Sequence, residues 1–168
     1  MAIHIIVDGY NLIGSEKGLT GNLEAKRNRL IQQLRLYQER KDYPITVVFD
    51  GWRSGWFEEV EERIGEVIVI YSRRGETADS VIKRLARQKG SGCIVVTSDR
   101  EVRVAAETNG AVAIYAGEFG AKLRNLDKDF INEAMQPAAN RFRDPRKKGN
   151  PRKLSKAERK RRERLKKL

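Results

Sequence analysis

Three aspartates lie just beyond short apolar runs whose β-branched residues are typical of β-strands, and a fourth follows a further such run at the start of a predicted helix. They are Asp8 after residues 3–7, Asp50 after residues 45–49, Asp79 at the start of a helical pattern beyond residues 67–71, and Asp99 shortly after residues 93–97. In an open α/β sheet the carboxyl ends of the strands meet at one edge, where such folds bind ligands. Carboxylates gathered in one place repel one another unless a positive charge lies between them. The pattern therefore predicts a hard divalent cation, which oxygen ligands hold and which accepts phosphate.

The segments around these acids alternate between strand and helix patterns, as in a parallel sheet with helices on its faces. Strands are predicted at residues 3–7, 45–49, 67–71, 93–97 and 111–115. Apolar residues at helical spacing predict helices within residues 23–37, 78–89, 99–109 and 119–130. This arrangement would bring the acids together at one edge of the sheet.

The net charge of +12 is confined to the end of the chain. Residues 1–140 contain 20 Lys and Arg and 20 Asp and Glu, whereas residues 141–168 contain 15 Lys and Arg and 3 Asp and Glu. A concentrated basic segment attached to a neutral body predicts a polyanionic partner.

Composition also predicts where the body ends. Prolines and glycines between Pro137 and Pro151 indicate a linker, so we predict a domain at 1–136 and a basic linker and tail at 137–168, partly helical or disordered. Ser155 to Glu158 matches a capping box that starts a helix. Because few apolar residues follow, we expect this helix to be mobile until it meets a partner.

The cysteine content and the hydropathy of the chain indicate the cellular compartment in which the protein is expected. The single cysteine, Cys93, opens an apolar strand and is expected to be a small buried hydrophobe. No apolar run approaches the roughly 18 residues needed to span a bilayer, and the N-terminus does not resemble a signal peptide. We therefore expect a cytoplasmic protein with no membrane partner.

The sequence lacks the motifs and residues that several classes of enzyme require. The chain has neither a GxGxxG nor a GxxxxGK[ST] motif, so no nucleotide cofactor is expected. The only histidine, His4, lies within the first strand and is expected to be a satisfied structural residue. A serine or cysteine nucleophile would need a base that is missing. Metal-ion catalysis remains, because a cation lowers the pKa of water and neutralises the charge that develops on a phosphate.

Each acid also has a purely structural interpretation. Asp8 and Asn11 can be turn formers, and Asp50 followed by glycine is a common turn pair. Asp79 would gain from the dipole of its helix, and Asp99 can be an N-cap. These interpretations must hold at four positions together to exclude a site.

Aromatic and basic residues near the acids are candidates for binding RNA. Trp52 beside Arg53 can stack on an unpaired base, whereas Phe57 is expected to attach this loop to the core. Arg73 and Arg74 can hold phosphate, or can be a solvated pair. In the tail, the candidate RNA-binding residues are Arg159, Lys160, Arg161 and Arg162.

Four short motifs together resemble the YacP-like branch of the NYN domains, which are relatives of the PIN nucleases. They are IVDGYNLI at residues 6–13, VVFD at 47–50, ETAD at 76–79 and VTSD at 96–99. The resemblance covers roughly residues 1–135 and implies a PIN-like three-layer α/β/α sandwich with a central parallel sheet. It implies a Mg²⁺- or Mn²⁺-dependent endoribonuclease. Asp8, Asp79 and Asp99 would then be the principal catalytic acids and metal ligands, with Asp50 supporting them and Asn11 orienting the substrate.

We therefore expect a protein that cleaves single-stranded RNA by metal-activated water, leaving a 5′-phosphate and a 3′-hydroxyl. Some members of the resembling family act on messenger RNA at the ribosome, so the ribosome is an expected partner. The alternative is a PIN-like module that binds RNA or the ribosome with little or no catalysis. A small-molecule phosphohydrolase is less consistent with the sequence, because Asp8 is followed by Gly9-Tyr10 and no second aspartate.

Overall fold

The computed structural model describes residues 3–51, 57–135 and 155–168. These residues form a six-stranded sheet with strand order β3-β4-β2-β1-β5-β6. All neighbouring strands are parallel except the pair β3 and β4, which is antiparallel. The strands are β1 (His4–Asp8), β2 (Ile45–Phe49), β3 (Val60–Ile64), β4 (Val67–Tyr71), β5 (Cys93–Val96) and β6 (Val112–Ile114). The predicted α/β class with a central parallel sheet is confirmed, and the unpredicted edge strand β3 adds one antiparallel pair.

The helices pack in layers on the two faces of this sheet. They are α1 (Gly9–Lys17), α2 (Leu23–Lys41), α3 (Ala78–Lys89), α4 (Arg100–Thr108), α5 (Ala116–Met135) and α6 (Lys156–Lys167). One core joins α1, α2 and α5 to the sheet, and the other joins α3 and α4 and includes the buried Cys93. Because both faces are covered, every residue of β2 and β5 is buried, as parallel sheets require.

Register aligns the carboxyl ends of the central strands. Asp8 pairs with Val48 of β2, and Val7 pairs with Val96 of β5. His4 lies at the opposite end of β1, where its Nε2 is 2.7 Å from the hydroxyl of Thr46. Burial, with Lys89 nearby, lowers the pKa of His4 to about 4, so the ring is neutral at pH 7. The prediction of a satisfied structural histidine is confirmed.

Two elements differ from the sequence-based expectation. The helix α1 was not predicted, and its first residue is Gly9. Glycine is needed there because an added Cβ would lie 2.2 Å from the ring of Phe49. The strand β3 was not predicted, because its sequence Val-Glu-Glu-Arg-Ile contains three charged residues. Those charges suit the edge of a sheet, where they discourage pairing with another chain.

The basic helix α6 packs against the body, and its mobility in the absence of a partner stays a prediction. The capping box of Ser155 and Glu158 is present, so the helix begins where the sequence indicated. Its end is anchored by Leu168, which is 4% exposed and belongs to the core, and by the hydroxyl of Tyr37, which donates to the Leu168 carbonyl over 3.2 Å. Residues 136–154 lie outside the described part of the chain, so the boundary near residue 136 remains a prediction.

None of the helices in the described residues is both long enough and apolar enough to cross a membrane.

Substituting Leu168 with alanine should weaken the attachment of α6. Truncating a buried leucine removes apolar contacts, and we expect the free energy of unfolding to fall by about 2 kcal/mol in urea denaturation. The exposed Lys166 provides the control, because Lys166→Ala should change that free energy by less than about 0.5 kcal/mol. Equal unfolding curves for the two variants would mean that α6 does not contribute to the core.

Candidate active site

The four aspartates lie at the carboxyl edge of the sheet, each beside the beginning of a helix. Asp8 ends β1 and precedes α1, and Asp99 precedes α4. Asp79 is in the first turn of α3, and Asp50 follows β2. The structure therefore brings together the four acids that the sequence pattern singled out.

Asp8 is the most buried of these acids, with 6% of its surface exposed. Burial is the main reason that its pKa is raised from 3.8 to about 7, and the negative charges of Asp79 and Asp50 add to the effect. The hydroxyl of Thr97 donates to Asp8 Oδ2 over 3.3 Å and offsets part of this increase. Asp8 is therefore a carboxylate whose ionised form needs a further positive charge.

Asp79 is half-buried and responds to the same charges. Burial raises its pKa, as do Asp99 and Asp50, whereas Lys83 lowers it. The Lys83 ammonium is itself paired with Glu101 Oε1 over 2.7 Å, so it is shared between carboxylates. Lys83 therefore does not neutralise the edge of the sheet that carries the four aspartates, which we call the acidic edge.

Asp50 and Asp99 also satisfy backbone amides at helix starts. Asp50 Oδ1 accepts from the Ala78 amide over 2.6 Å, and Asp99 Oδ1 accepts from the amides of Glu101 and Val102 over 2.9 and 3.3 Å. The structural interpretation of Asp99 as an N-cap is thus correct, whereas Asp50 bonds the distant Ala78 amide and is not the local turn former that its sequence suggested. These contacts do not exclude a site, because the same carboxylates raise the pKa of Asp79.

A glycine holds the segment after β2 close to its neighbour. A Cβ on Gly51 would lie 1.5 Å from the Ser72 carbonyl oxygen, so no larger residue fits without displacing the backbone. The Gly51 amide donates to the Ser72 hydroxyl over 2.9 Å, and that hydroxyl donates to the Glu76 carbonyl over 2.8 Å. This network sets the position of Asp50 relative to the start of α3.

Asn11 connects α1 with the segment that contains Asp99. Its Oδ1 accepts from the Ser98 amide over 2.8 Å. The Asp99 amide in turn donates to the hydroxyl of Thr97 over 3.1 Å. Asn11 therefore orients the protein backbone beside Asp8 and Asp99, which is a more specific contact than the sequence indicated.

The other predicted binding residues differ in their surroundings. Trp52 and Arg53 lie outside the described residues, so their role remains a prediction. Arg73 is 67% exposed and pairs with Glu76 over 3.3 Å. The Arg74 guanidinium lies 5.3 Å from the ring centroid of Phe57. The expectation that Phe57 packs into the core is wrong, because 74% of its surface is exposed.

The carboxylate oxygens of the acidic edge suit a hard cation, although they do not enclose one by themselves. Among the described residues, no three His, Cys, Asp or Glu side chains are gathered closely enough to enclose an ion. Carboxylates whose pKa values are raised by one another still favour a bound positive charge. Mg²⁺ commonly uses one or two carboxylates, waters and a substrate phosphate, so the acidic edge fits a cation held in this partial way.

Sequence reasoning missed two residues that shape the site. Thr97, which is buried, bridges the Asp8 carboxylate and the Asp99 amide through one hydroxyl. Its place between a strand and an aspartate was visible in the sequence, although its contact with Asp8 was not. Lys83 lies one helical turn after Asp79, and that i to i+4 spacing was a signal for the proximity of the two side chains.

The raised pKa of Asp8 predicts how the metal-free protein depends on pH. The folded state binds the Asp8 proton more tightly than the unfolded state, so ionisation of Asp8 destabilises the folded state. This loss of stability is absent below about pH 4, grows up to about pH 7 and is constant above it. Asp8→Asn removes this loss. In chelator, the variant should exceed the wild type in unfolding free energy by a few kcal/mol at pH 8, at about 1.4 kcal/mol per pKa unit.

The advantage of the variant should shrink towards about pH 4, and the comparison cancels the effect of His4, which both proteins contain. Urea denaturation across this pH range measures it. A pH-independent difference would mean that Asp8 is not protonated near neutral pH.

Comparisons with known proteins identify the family of this fold. The model of the YacP-like NYN domain matches residues 5–167. A crystal structure of Rae1 (YacP) from Bacillus subtilis is 28% identical, with a TM-score of 0.65 over 80% of each chain. A tryptophan-to-leucine variant of the same protein is 26% identical, with a TM-score of 0.66 over 79% of this chain and 82% of that chain. No curated protein matches significantly. The chain therefore belongs to the YacP-like NYN domain family, a PIN-like nuclease family, which supports a nuclease role connected with RNA.

Proposed function

We propose that this protein is an endoribonuclease that hydrolyses single-stranded RNA with the help of Mg²⁺ or Mn²⁺ at the acidic edge of the sheet. The observation that carries the proposal is the buried Asp8 carboxylate, whose pKa is raised to about 7 by burial and by Asp79 and Asp50. A bound cation would relieve this cost. Family membership supports the nuclease class, and the cation and the form of the RNA are our extension of it.

In this proposal Asp8, Asp79 and Asp99 would hold the cation, directly or through water, and Asp50, bonded to the amide at the start of α3, would support them. When bound, the cation lowers the pKa of water and neutralises the charge of the scissile phosphate. The protein supplies the orientation. Thr97 holds the Asp8 carboxylate, and Asn11 holds the backbone that leads to Asp99.

The exposed basic residues of α6 provide the electrostatic attraction for RNA. Arg159, Lys160 and Arg162 are exposed, and α6 is attached to the body at its far end by Leu168. A basic surface of this kind binds polyanions without regard to sequence. In this proposal Trp52 and Arg53 stack on bases, and Arg73 and Arg74 contact phosphates. We further propose that the protein acts in the cytoplasm and that the ribosome is one place where it meets messenger RNA.

A second candidate function is an RNA- or ribosome-binding module with little or no catalysis. It is favoured by the acids themselves, because no three of the described potential ligands enclose an ion. The two functions differ in one property, which is whether a divalent cation switches on cleavage.

Cleavage by the purified protein should require the acids and the cation together. With Mn²⁺ and labelled single-stranded RNA, we expect Asp8→Asn and Asp99→Asn to lower kcat by at least about 100-fold. Asparagine is as good an N-cap as aspartate, so Asp99→Asn removes charge while keeping the start of α4. Asp129→Asn, at an exposed position of α5, is the matched control and should cleave like the wild type. Cleavage that persists in both acid variants or in chelator would contradict the proposed site.

The salt dependence of RNA binding should reveal the contribution of α6. Replacing Arg159, Lys160 and Arg162 with glutamine should flatten the slope of log affinity against log salt by about 2 units, at roughly 0.7 per phosphate contact on single strands. A control variant removes the same charge from exposed positions on α2 and β3, namely Arg40, Lys41 and Arg63. If both variants flatten the slope equally, net charge and not the position of α6 determines binding.

A further inference from the structure

A partly exposed tyrosine lies at the carboxyl edge of the sheet, beside the acids. Tyr115 directly follows β6, which is parallel to β5, so it leaves the sheet at the same edge as Asp8 and Asp99. Its relative exposure is 46%, whereas Phe119, one turn later in α5, is fully buried. The exposure of Tyr115 is therefore not explained by the core.

Hydrogen bonds on both sides of Tyr115 hold it next to the acidic residues. The Thr97 amide donates to the carbonyl of Ile114 over 3.0 Å, and the Ala116 amide donates to the Ser98 hydroxyl over 3.2 Å. Thr97 and Ser98 are the two residues before Asp99, and Thr97 also contacts Asp8. With two strand spacings between β6 and β1, the backbone of Tyr115 lies about 10 Å from that of Asp8.

Two guanidinium groups approach the ring from different elements. The Arg103 guanidinium of α4 lies 3.4 Å from the Tyr115 centroid, and that of Arg161 of α6 lies 6.0 Å from it. Glu118 steadies this arrangement, because it accepts from the Tyr115 amide over 3.3 Å and pairs with Arg161. Among the described residues Arg103 has no carboxylate partner, and its other contact is with the Thr97 carbonyl over 3.5 Å.

We propose that Tyr115, Arg103 and Arg161 form a nucleotide-binding platform that positions single-stranded RNA for cleavage at the acidic edge. The ring offers a surface on which a base stacks, and the guanidinium groups offer charge and planar donors to the adjacent phosphate. This inference rests on the proposed function, since it assigns the RNA a path past the acids. The three side chains are positioning residues and do not take part in the reaction at phosphorus.

The platform also assigns a role to α6 that its charge alone did not indicate. Leu168 anchors the helix to the core, and Arg161 lies within the same helix, so docking of α6 brings this arginine to Tyr115. The exposed residues Arg159, Lys160 and Arg162 are adjacent along the helix. RNA attracted by the basic surface of α6 is therefore led over Tyr115 towards Asp99 and Asp8.

RNA binding without catalysis tests the platform directly. Fluorescence anisotropy with a short labelled single-stranded RNA, in chelator, compares the wild type with variants of Tyr115. We expect Tyr115→Ala to weaken binding about 10-fold, because stacking on an aromatic ring is lost. Tyr115→Phe should bind like the wild type. In Tyr115→Trp, RNA should quench the indole fluorescence that this variant gains over the wild type, which reports stacking even where Tyr115→Ala folds poorly.

The role of Arg103 is tested with a matched control on a different helix. Arg103→Gln should weaken RNA binding at least about 5-fold more than Arg87→Gln, whose side chain is exposed in the last turn of α3. Val104→Ala, at an exposed position next to Arg103, should have no effect. With Mn²⁺ present, Tyr115→Ala should raise KM more than it lowers kcat, as expected for a positioning residue.

The outcomes separate the platform from the proposed function. If the wild type binds RNA through Tyr115 in chelator and no divalent cation produces cleavage, the proposed function fails and the platform stands. If the wild type cleaves RNA, but a folded Tyr115→Ala variant binds like Val104→Ala and Tyr115→Trp is not quenched, the platform is wrong. Absence of RNA binding by the wild type in chelator would also overturn it.

Discussion

The buried Asp8 carboxylate is the constraint on which the arrangement of the carboxyl edge depends. It ends the central strand, between β2 and β5, where water has little access. A charge in such a place is unfavourable unless hydrogen bonds or opposite charge compensate it. The protein provides Thr97 and the beginnings of α1, α3 and α4, whose dipoles favour negative charge. These groups compensate only in part, because the pKa of Asp8 remains well above its ordinary value.

Two of the acids combine a structural contact with a contribution of negative charge to the acidic edge. Asp50 and Asp99 satisfy amides at the starts of α3 and α4, and these contacts hold their carboxylates near Asp79. A cap that also contributes negative charge to a cluster is efficient, because the folding interaction orients the group before any ligand arrives. The carboxylates repel one another, and a bound cation would remove this repulsion, which favours its binding.

The helix α6 also combines two roles. The helix α6 packs beside β6, an edge strand whose backbone would otherwise be open to pairing with another chain. Leu168 and the hydroxyl of Tyr37 attach it, so a helix rich in lysine and arginine is held in one place with most of its charges exposed. Docking thus protects the edge of the sheet and also fixes Arg161 beside Tyr115.

The sequence by itself determined the strands that end in acids, the helices α2 to α5 and the capping box of α6, because periodicity and caps are local properties. It also indicated that the four aspartates share one edge, since parallel strands end together. Only the tertiary structure decided that Gly9 starts a helix against Phe49, that the charged residues of β3 pair with β4, and that Leu168 reaches Tyr37. It alone placed Arg103 and Arg161 beside the ring of Tyr115. These features depend on contacts between residues far apart in the chain, and the physical reason is that burial and close approach are properties of the packed molecule and not of any one segment.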